Sequence, residues 1–253
     1  MAVLALTVSY DGGPFCGFAR QPGLCTVQGS LEDALALLYR RPVETACAGR
    51  TDSGVHALGQ VVSFELTEAE LGMRSDESLL RSLNALVHEA VGVRQAEQKP
   101  DGFSARFDAR VREYRYFIST ESAPPLVMHD FCWHLPGSLD IGAMNEGARY
   151  LVGEHDFKSF CQTVSAIGKP TCRNVMGVEV AEASIAGDSF ICITVTGNAF
   201  LHSMVRTIVG TLAAVGKGRR SPAWVGEVLA ACDRSAAGEK APAQGLIFWS
   251  VAY

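Results

Sequence analysis

The sequence predicts an α+β protein in which the element order β-α-β-β-α-β occurs twice. Apolar residues alternate in short segments, as in half-buried strands, and between these segments they recur at helical spacing. This order is typical of the ferredoxin-like, or split βαβ, arrangement that RNA-recognition motifs share. We therefore expect two halves, 1–105 and 106–253, each an antiparallel sheet with its helices on one face. A central cleft between them would be a natural place for a ligand.

The N-terminal half opens with an alternating segment that ends in the turn Asp11-Gly12-Gly13-Pro14, where glycine and proline favour a reversal of the chain. Apolar residues then recur at helical spacing, and Thr26 stands at the position of an N-cap. Pro42 begins a further strand. The predicted strands of this half are 2–10, 42–48, 58–66 and 91–98, and the predicted helices are 27–40 and 76–89.

The C-terminal half repeats this order with one additional helix. Gly153 ends its first helix, and the turn Ala186-Gly187-Asp188 joins two neighbouring strands. The additional helix has Ser221 as its N-cap and Pro222 at its first position, where a helix best tolerates proline. The predicted strands are 112–119, 174–183, 189–196 and 246–252, and the predicted helices are 139–152, 198–215 and the one that begins at Ser221.

The net charge of −5 argues against a nucleic-acid partner, because proteins that bind polyanions are often basic overall. The distribution of the cations weakens this argument. Four arginines lie within ten residues of each other: Arg106, Arg110, Arg112 and Arg115. Since the guanidinium group suits bidentate contact with phosphate, the sequence is compatible with an acidic protein that carries one basic cleft.

The hydrophobic fraction of 48% excludes a largely disordered chain. The best candidate for a membrane span, 198–215, is interrupted by His202 and Arg206 and therefore predicts a buried helix. The N-terminus lacks a cationic segment, so we expect no signal peptide. Eight cysteines without a CxxC pair predict reduced, mostly buried thiols of a cytosolic protein, and neither a zinc site nor a disulfide framework.

The two halves differ in the connection between their second and third strands. In the C-terminal half this connection is a short turn, whereas in the N-terminal half it is AGRTDSGVHALG, with three glycines and several functional side chains. Glycine permits positive φ and close approach of the backbone, and loops on rigid strands often carry chemistry. Asp52 is the candidate catalytic residue of this loop. The alternative is a wide hairpin with a solvated aspartate.

Other interpretations of these residues fit less well. Asp52-Ser53-Gly54 is the D-S-G of aspartic proteases, but those enzymes need a second such carboxylate, and the chain has a single D-[ST]-G. Ser53 and His56 lack the G-x-S-x-G elbow of a hydrolase. The adjacent residues Glu154-His155-Asp156 point in different directions and do not converge on a metal ion. An RNA-recognition motif is disfavoured because the third strand offers only Phe64 for base stacking.

Several segments resemble the TruA family of tRNA pseudouridine synthases. The family's signature loop, GRTDAGVHA, is similar to AGRTDSGVHALGQVVSFE. The family's opening strand, turn and first helix resemble YDGGPFCGFARQPGLCTVQGSLEDAL, and its second and third motifs resemble FSARFDARVREYRYFI and GNAFLHSMVRTIVGTL. These segments occur in family order and cover most of the chain. Two departures are mild: Ser53 stands where alanine is usual, and Phe18-Ala19 replaces a commoner Trp-Gln.

This resemblance implies a pseudouridine synthase fold with a central catalytic cleft and assigns roles to three residues. Asp52 is the nucleophile in cleavage of the glycosidic bond. Tyr114 stacks on the extruded base, although the pattern alone does not choose between it, its neighbour Tyr116 and a role in the core. Arg206 pairs with Asp52 and keeps the carboxylate ionised. A guanidinium that extends to solvent is the alternative.

The resemblance also implies a substrate and partners. The family isomerises uridines of the tRNA anticodon stem-loop (positions 38 to 40) without cofactor or metal, and we accordingly expect a cytoplasmic homodimer. Because the target base is stacked, it must be flipped out before the loop reaches it. A catalytically silent RNA-binding relative is the alternative function. The candidate phosphate contacts are Arg20, Arg50, Arg110, Arg112 and Arg173.

Overall fold

The structure is a computed structural model that describes residues 2–253, with the side chains of all of these except 165 and 166. The α+β class is confirmed. The chain forms two compact units: the N-terminal unit, Met1–Arg110 with Phe248–Tyr253, and the C-terminal unit, Val111–Ile247. The sequence-based division at 105/106 counted the last strand with the C-terminal half, whereas most of that strand belongs to the N-terminal unit.

The elements of the N-terminal unit are β1 (Ala2–Tyr10), α1 (Val27–Tyr39), β2 (Ala46–Cys47), β3 (His56–Leu66), α2 (Glu68–Leu71), α3 (Asp76–Leu86) and β4 (Val91–Lys99). β1 pairs with β3 and with β4, and β2 pairs with β3, all in the predicted antiparallel sense. Leu6 of β1 lies opposite Val62 of β3, and both side chains are fully buried. The core therefore follows the alternation of apolar residues in these strands.

β2 is much shorter than the predicted strand 42–48, and side chains of α1 explain why. The backbone N–H of Thr45 donates to the Glu32 carboxylate at 3.0 Å, and the Gln28 side-chain amide donates to the Thr45 carbonyl oxygen at 3.0 Å. Pro42 has no N–H to contribute to a sheet. The backbone polar groups that would extend β2 are thus satisfied by a helix instead of a neighbouring strand.

The C-terminal unit is built on mostly antiparallel strands. Its elements, with the last strand shared with the N-terminal unit, are β5 (Val111–Ser119), β6 (Trp133–His134), α4 (Ile141–Ala148), β7 (Gly153–Asp156), α5 (Thr163–Ala166), β8 (Cys172–Ile185), β9 (Asp188–Gly197), α6 (Met204–Gly216), α7 (Trp224–Ala231) and β10 (Leu246–Ala252). The strand order is β5-β9-β8-β7, and every one of these pairs is antiparallel. β6 adds to β5 in the parallel sense, which the sequence did not predict.

α6 begins at Met204, six residues after the predicted start at Asn198. The N–H of Asn198 donates to the carbonyl oxygen of Asn174 at 3.0 Å, and the Asn174 N–H donates back to the Asn198 side chain at 3.1 Å. Ser203, directly before the helix, has a left-handed φ of 61°. Asn198 therefore continues the β8–β9 pairing, and residues 198–203 form a loop, although their apolar residues suggest a helix.

One asparagine in each unit fastens a helix to a strand. The Asn84 side chain in α3 donates to the Val93 carbonyl oxygen and accepts from the Val93 N–H, both at 2.8 Å. In the C-terminal unit, Asn145 of α4 makes the same two bonds to Val180 of β8, at 2.8 and 2.9 Å. Because the amide mimics a backbone partner, each asparagine satisfies a strand edge that has no neighbour at that point.

The prediction of mostly buried cysteines is wrong in part. All eight thiols are free, but only three are buried: Cys16, Cys25 and Cys172 are exposed, and Cys192 and Cys232 are intermediate. The predicted burial of the 198–215 segment is confirmed where it is helical, because most of α6 is buried. In the part of the chain that the structure describes, no helix has the length and apolar character to cross a membrane.

Candidate active site

Asp52 lies at the corner of a tight turn in the loop between β2 and β3. The N–H of Val55 donates to the Asp52 carbonyl oxygen at 3.1 Å, and Gly54 between them has a φ of 77°. Since glycine adopts this left-handed conformation without a steric penalty, Gly54 lets the chain reverse directly after Asp52. The residue itself is half-buried.

The segment between β1 and α1 holds this loop from both sides of Asp52. The Phe18 N–H donates to the Thr51 carbonyl oxygen at 3.1 Å. On the other side, the Ser53 hydroxyl donates to the Phe15 carbonyl oxygen at 3.0 Å. Both neighbours of the candidate nucleophile are therefore bonded to one segment, and the position of the carboxylate depends on that segment.

Two glycines allow this segment to approach the loop backbone directly. A Cβ on Gly17, whose φ is 97°, would lie 3.2 Å from the Thr51 carbonyl oxygen. A Cβ on Gly12 would lie only 2.1 Å from the Val55 carbonyl oxygen, which no side chain tolerates. The close contact of two backbones explains the glycines of YDGGPFCG in physical terms.

Buried side chains of β1 and β3 complete the support of the loop. The hydroxyls of Tyr10 and Thr51 share a hydrogen bond of 2.8 Å, and burial raises the pKa of Tyr10, so its phenol stays protonated. Gln60 donates from its side-chain amide to the Gly49 carbonyl oxygen at 2.6 Å. The residues that precede Asp52 are thus fixed by two buried polar side chains.

Ser53 and His56, the two residues considered above for a hydrolase, make structural hydrogen bonds. The Gly12 N–H donates to Nδ1 of His56 at 3.0 Å, and His56 is only 3% exposed. The Ser53 hydroxyl donates to the backbone of Phe15. Nδ1 of His56 also lies 3.0 Å from the Asp11 carboxylate. Both side chains therefore fasten the loop to the segment beside it.

Tyr114 and Tyr116 of β5 have different surroundings. Tyr114 is 6% exposed, and its ring packs edge-on against Phe200 with the centroids 5.1 Å apart. Tyr116 is fully buried, and its hydroxyl donates to the Pro242 carbonyl oxygen at 2.9 Å. The hydroxyl of Tyr116 is thus bonded to the protein backbone, and this bond disfavours Tyr116 as the tyrosine that stacks on the extruded nucleobase. That Tyr114 stacks on the nucleobase stays a prediction.

Arg206 lies half-buried in the first turn of α6. The predicted helix 198–215 also contained His202, but that residue lies outside α6, because the helix begins only at Met204. Nε of Arg206 donates to the Ala241 carbonyl oxygen at 2.8 Å, and the Ala241 N–H donates to the Arg206 carbonyl oxygen at 3.1 Å. The protein backbone therefore holds one edge of the guanidinium. The ion pair with Asp52 stays a prediction.

Two of the candidate phosphate contacts have a local structural role. Arg112 is 8% exposed, and its Nη1 donates to the Asn198 carbonyl oxygen, at the start of the loop before α6. Nη1 of Arg173 donates to the carbonyl oxygens of Pro170 and Cys172, at 3.1 and 2.6 Å. Arg112 of β5 thus holds the loop before α6, and Arg173 of β8 holds the backbone at the start of its own strand.

The other three candidates are more exposed and lie in the N-terminal unit. Arg50, two residues before Asp52, and Arg110 are both exposed. Arg20 pairs with two carboxylates of α1, Glu32 at 2.7 Å and Asp33 at 2.8 Å. Arg50 therefore faces solvent and lies next but one in sequence to the candidate nucleophile.

The described residues hold no group of three or more His, Cys, Asp or Glu side chains that could bind a metal ion. The sequence Glu154-His155-Asp156 lies on β7, where its side chains make local contacts. Nε2 of His155 lies 3.0 Å from the Val152 carbonyl oxygen, and the Asp156 carboxylate accepts from the Lys158 N–H at 2.9 Å. The side chains of His155 and Asp156 thus contact the backbone just before and just after β7.

Sequence reasoning missed three residues that shape the site. Tyr10 and Gln60 read as ordinary positions of alternating strands, and Ala241 lies in a stretch without regular structure. The partners of Tyr10 and Ala241, Thr51 and Arg206, are 41 and 35 residues away in sequence. No local pattern carries such contacts. A polar side chain at a core position, as in Gln60, is the one signal that the sequence offered.

The comparisons with known proteins agree with one another. A family model described as tRNA pseudouridine synthase matches residues 6–108 and 148–253. The tRNA pseudouridine synthase A of Brevibacillus brevis is 42% identical over 253 residues and covers 100% of both chains. That of Bacillus subtilis is 41% identical over 252 residues, which cover 99% of this chain and 98% of the relative. The chain belongs to the TruA family of tRNA pseudouridine synthases, which are isomerases.

Proposed function

We propose that this enzyme isomerises uridines of the tRNA anticodon stem-loop, at positions 38 to 40, with Asp52 as its nucleophile. The observation that supports this assignment is the rigid presentation of one carboxylate. Asp52 is half-buried at a turn whose two flanking residues are bonded to a neighbouring segment. A reacting group must be held in place to attack a substrate efficiently.

The chemistry needs one carboxylate. Asp52 attacks at the anomeric carbon as the C1′–N1 bond breaks, in the way that carboxylates act in retaining glycosidases. The freed uracil turns in the pocket, and its C5 bonds to C1′ as the bond between C1′ and the Asp52 oxygen breaks and the carboxylate is regenerated. The C5 proton then leaves, while N1 gains a proton. No water is activated, so the second carboxylate of a glycosidase is unnecessary. All atoms of uridine other than the exchanged protons are retained.

Tyr114 and Arg206 complete the proposed site. The ring of Tyr114 stacks on the extruded uracil, and its hydroxyl lies near the C5 proton in the substrate complex. Arg206 pairs with Asp52 and orients the carboxylate. The support for these two roles is the match of both residues to the family's second and third motifs.

The RNA is held through its phosphates. Exposed Arg50 and Arg110, together with Arg20, offer guanidinium groups on the N-terminal unit. Arg112 and Arg173, whose Nη1 groups donate to backbone carbonyl oxygens, are the remaining proposed phosphate contacts. The target base leaves its stack to reach Asp52. We further propose that the enzyme works as a homodimer in the cytoplasm and without cofactor.

The test uses a tRNA transcript that carries tritium at C5 of its uridines. Incubation with the enzyme should release tritium, because C5 loses its hydrogen when it bonds to C1′. Transcripts in which cytidine replaces the uridine at 38, 39 or 40 should each lose the corresponding part of the release. Release that is unchanged by all three replacements would contradict the anticodon assignment. A tRNA that binds without any release would favour the catalytically silent alternative.

A further inference from the structure

We infer that the stretch from Gly238 to Gly245, here the 238–245 segment, orients the guanidinium of Arg206, and that Tyr116 is a positioning residue that holds this segment. The inference rests on the proposed function, in which Arg206 pairs with the nucleophile. It adds contacts that orient Arg206 and that come from residues other than Asp52, Tyr114 and Arg206.

The 238–245 segment contacts Arg206 through two reciprocal backbone bonds. The Nε–H of Arg206 donates to the Ala241 carbonyl oxygen at 2.8 Å, and the Ala241 N–H donates to the Arg206 carbonyl oxygen at 3.1 Å. Ala241 is fully buried. Because the guanidinium is planar and its donors form a rigid fork, fixing Nε also fixes the direction of the two terminal nitrogens.

The segment lies directly on the backbone of α6. A Cβ on Gly210 of the helix would lie 1.8 Å from the Glu239 carbonyl oxygen, and a Cβ on Gly238 would lie 2.8 Å from Cα of Thr211. The Gly238 N–H donates to the Thr211 hydroxyl at 3.1 Å, and that hydroxyl donates to the Thr207 carbonyl oxygen at 2.8 Å. The segment is thus anchored one turn and more beyond Arg206 on the same helix.

Tyr116 anchors the other end of the segment. Its hydroxyl donates to the carbonyl oxygen of Pro242 at 2.9 Å, one residue after the carbonyl that contacts Arg206. A Cβ on Gly245 would lie 2.5 Å from the Tyr116 ring, so the ring and the segment are in close contact. Burial raises the pKa of Tyr116, and the hydroxyl therefore remains a donor throughout the working pH range.

These contacts predict how the loss of one hydroxyl affects catalysis. Tyr116→Phe keeps the ring against Gly245 and removes the bond to Pro242. The loosened segment then holds Arg206 less firmly, and we expect kcat to fall about fivefold, the factor that corresponds to one net hydrogen bond, with KM unchanged within about twofold.

A double-mutant cycle separates this role from a general loss of packing. In Arg206→Lys the Nε donor is gone, and the link between segment and side chain is already broken. Tyr116→Phe should therefore cost nothing further in that background. Tyr253→Phe is the matched control, since its hydroxyl also donates to a carbonyl, that of Ala105 at 3.0 Å, but in the N-terminal unit. It should leave kcat unchanged in both backgrounds.

Equal losses from Tyr116→Phe in both backgrounds, or no loss in either, would overturn the inference. If Arg206→Lys is as active as the parent, the proposed role of Arg206 in catalysis is wrong. The orientation of the Arg206 guanidinium by the 238–245 segment can still be tested by a measurement that does not depend on activity. The Arg206 Nε–H donates a hydrogen bond to the Ala241 carbonyl oxygen. In Tyr116→Phe its NMR signal should shift and its proton should exchange faster with solvent, whereas Tyr253→Phe should leave both unchanged. An unchanged signal contradicts the inference.

A second variant covers the case in which Tyr116→Phe does not fold. Thr211→Val preserves the shape of the side chain and removes the hydroxyl that accepts from Gly238. It should shift the Arg206 Nε–H signal in the same direction and lower kcat by a similar factor. A folded Thr211→Val with the parent's kcat and the parent's signal would overturn the inference.

Discussion

Replacing Gly17 by alanine tests whether the segment between β1 and α1 positions Asp52. Gly17 has a φ of 97°, and a Cβ there would lie 3.2 Å from the Thr51 carbonyl oxygen and 3.3 Å from the Ser53 N. These two atoms flank Asp52. Contacts of this length are tighter than side chains normally make, so the loop must move by a few tenths of an ångström.

Two effects follow, and their sizes differ. The strained backbone should lower the free energy of unfolding by about 1–3 kcal/mol, the usual cost of a left-handed conformation for a residue with a Cβ. The displacement of the loop acts on the chemistry. Since a misplacement of about 1 Å costs roughly a hundredfold in rate, a few tenths of an ångström should lower kcat by about 3–10-fold.

Gly23→Ala is the matched control for the first effect. Gly23 has a φ of 72°, but a Cβ there would meet nothing within 4 Å. Both variants should therefore lose comparable stability in urea unfolding, and only Gly17→Ala should lose kcat in tritium release from C5-labelled tRNA. A folded Gly17→Ala with the same kcat as Gly23→Ala would refute the reasoning that this segment positions the nucleophile.

Three further predictions concern the supports of the loop, one helix cap and the RNA surface. Tyr10→Phe leaves the Thr51 hydroxyl without its buried partner and should lower the free energy of unfolding by about 1–3 kcal/mol, measured in urea; an unchanged urea midpoint would contradict it. Glu70 caps α2 by accepting from the Thr67 N–H, and it pairs with Arg41 at 2.7 Å. Arg41 lowers the pKa of Glu70 to about 2, so the stability from this carboxylate is complete above its ordinary pKa of 4.5 and is lost as the pH falls towards 2. The difference in urea midpoint between the parent and Glu70→Gln should therefore shrink from pH 6 to pH 3, and a constant difference would refute it. Arg50→Ala should weaken tRNA binding and reduce the slope of log affinity against log salt by about one phosphate contact; an unchanged slope would remove Arg50 from the RNA surface.

Local patterns predicted most of the fold. Thr26 accepts from the Gly29 N–H at the start of α1, as an N-cap does, and the turn at Ala186-Gly187-Asp188 joins β8 and β9 as expected. The errors arose where contacts with residues distant in sequence determine the bounds of an element. β2 is short because Glu32 and Gln28 of a helix bond to its backbone, and neither contact leaves a trace in the sequence of the strand.

The candidate site was predictable to a similar degree. Asp52 stood out because a glycine-rich loop interrupts an otherwise regular order, and the family motif then supplied Tyr114 and Arg206. The contacts that hold these residues were not predictable. Ala241 acts through its backbone, so its side-chain identity carries no information about the bonds to Arg206. Arg112 looked like a phosphate contact because of its charge, and its structural bond depends on a loop far away in sequence.

The central claim is that Asp52 is the nucleophile, and single-turnover tritium release by Asp52→Asn tests it most directly. The amide keeps the size of the side chain and removes its negative charge. We expect release to fall by at least about a thousandfold, as when a nucleophile is removed, with tRNA affinity unchanged within a few-fold. Asp130→Asn, at a carboxylate that is 79% exposed in the C-terminal unit, is the control and should match the parent. Release by Asp52→Asn at the parent's rate would contradict the account.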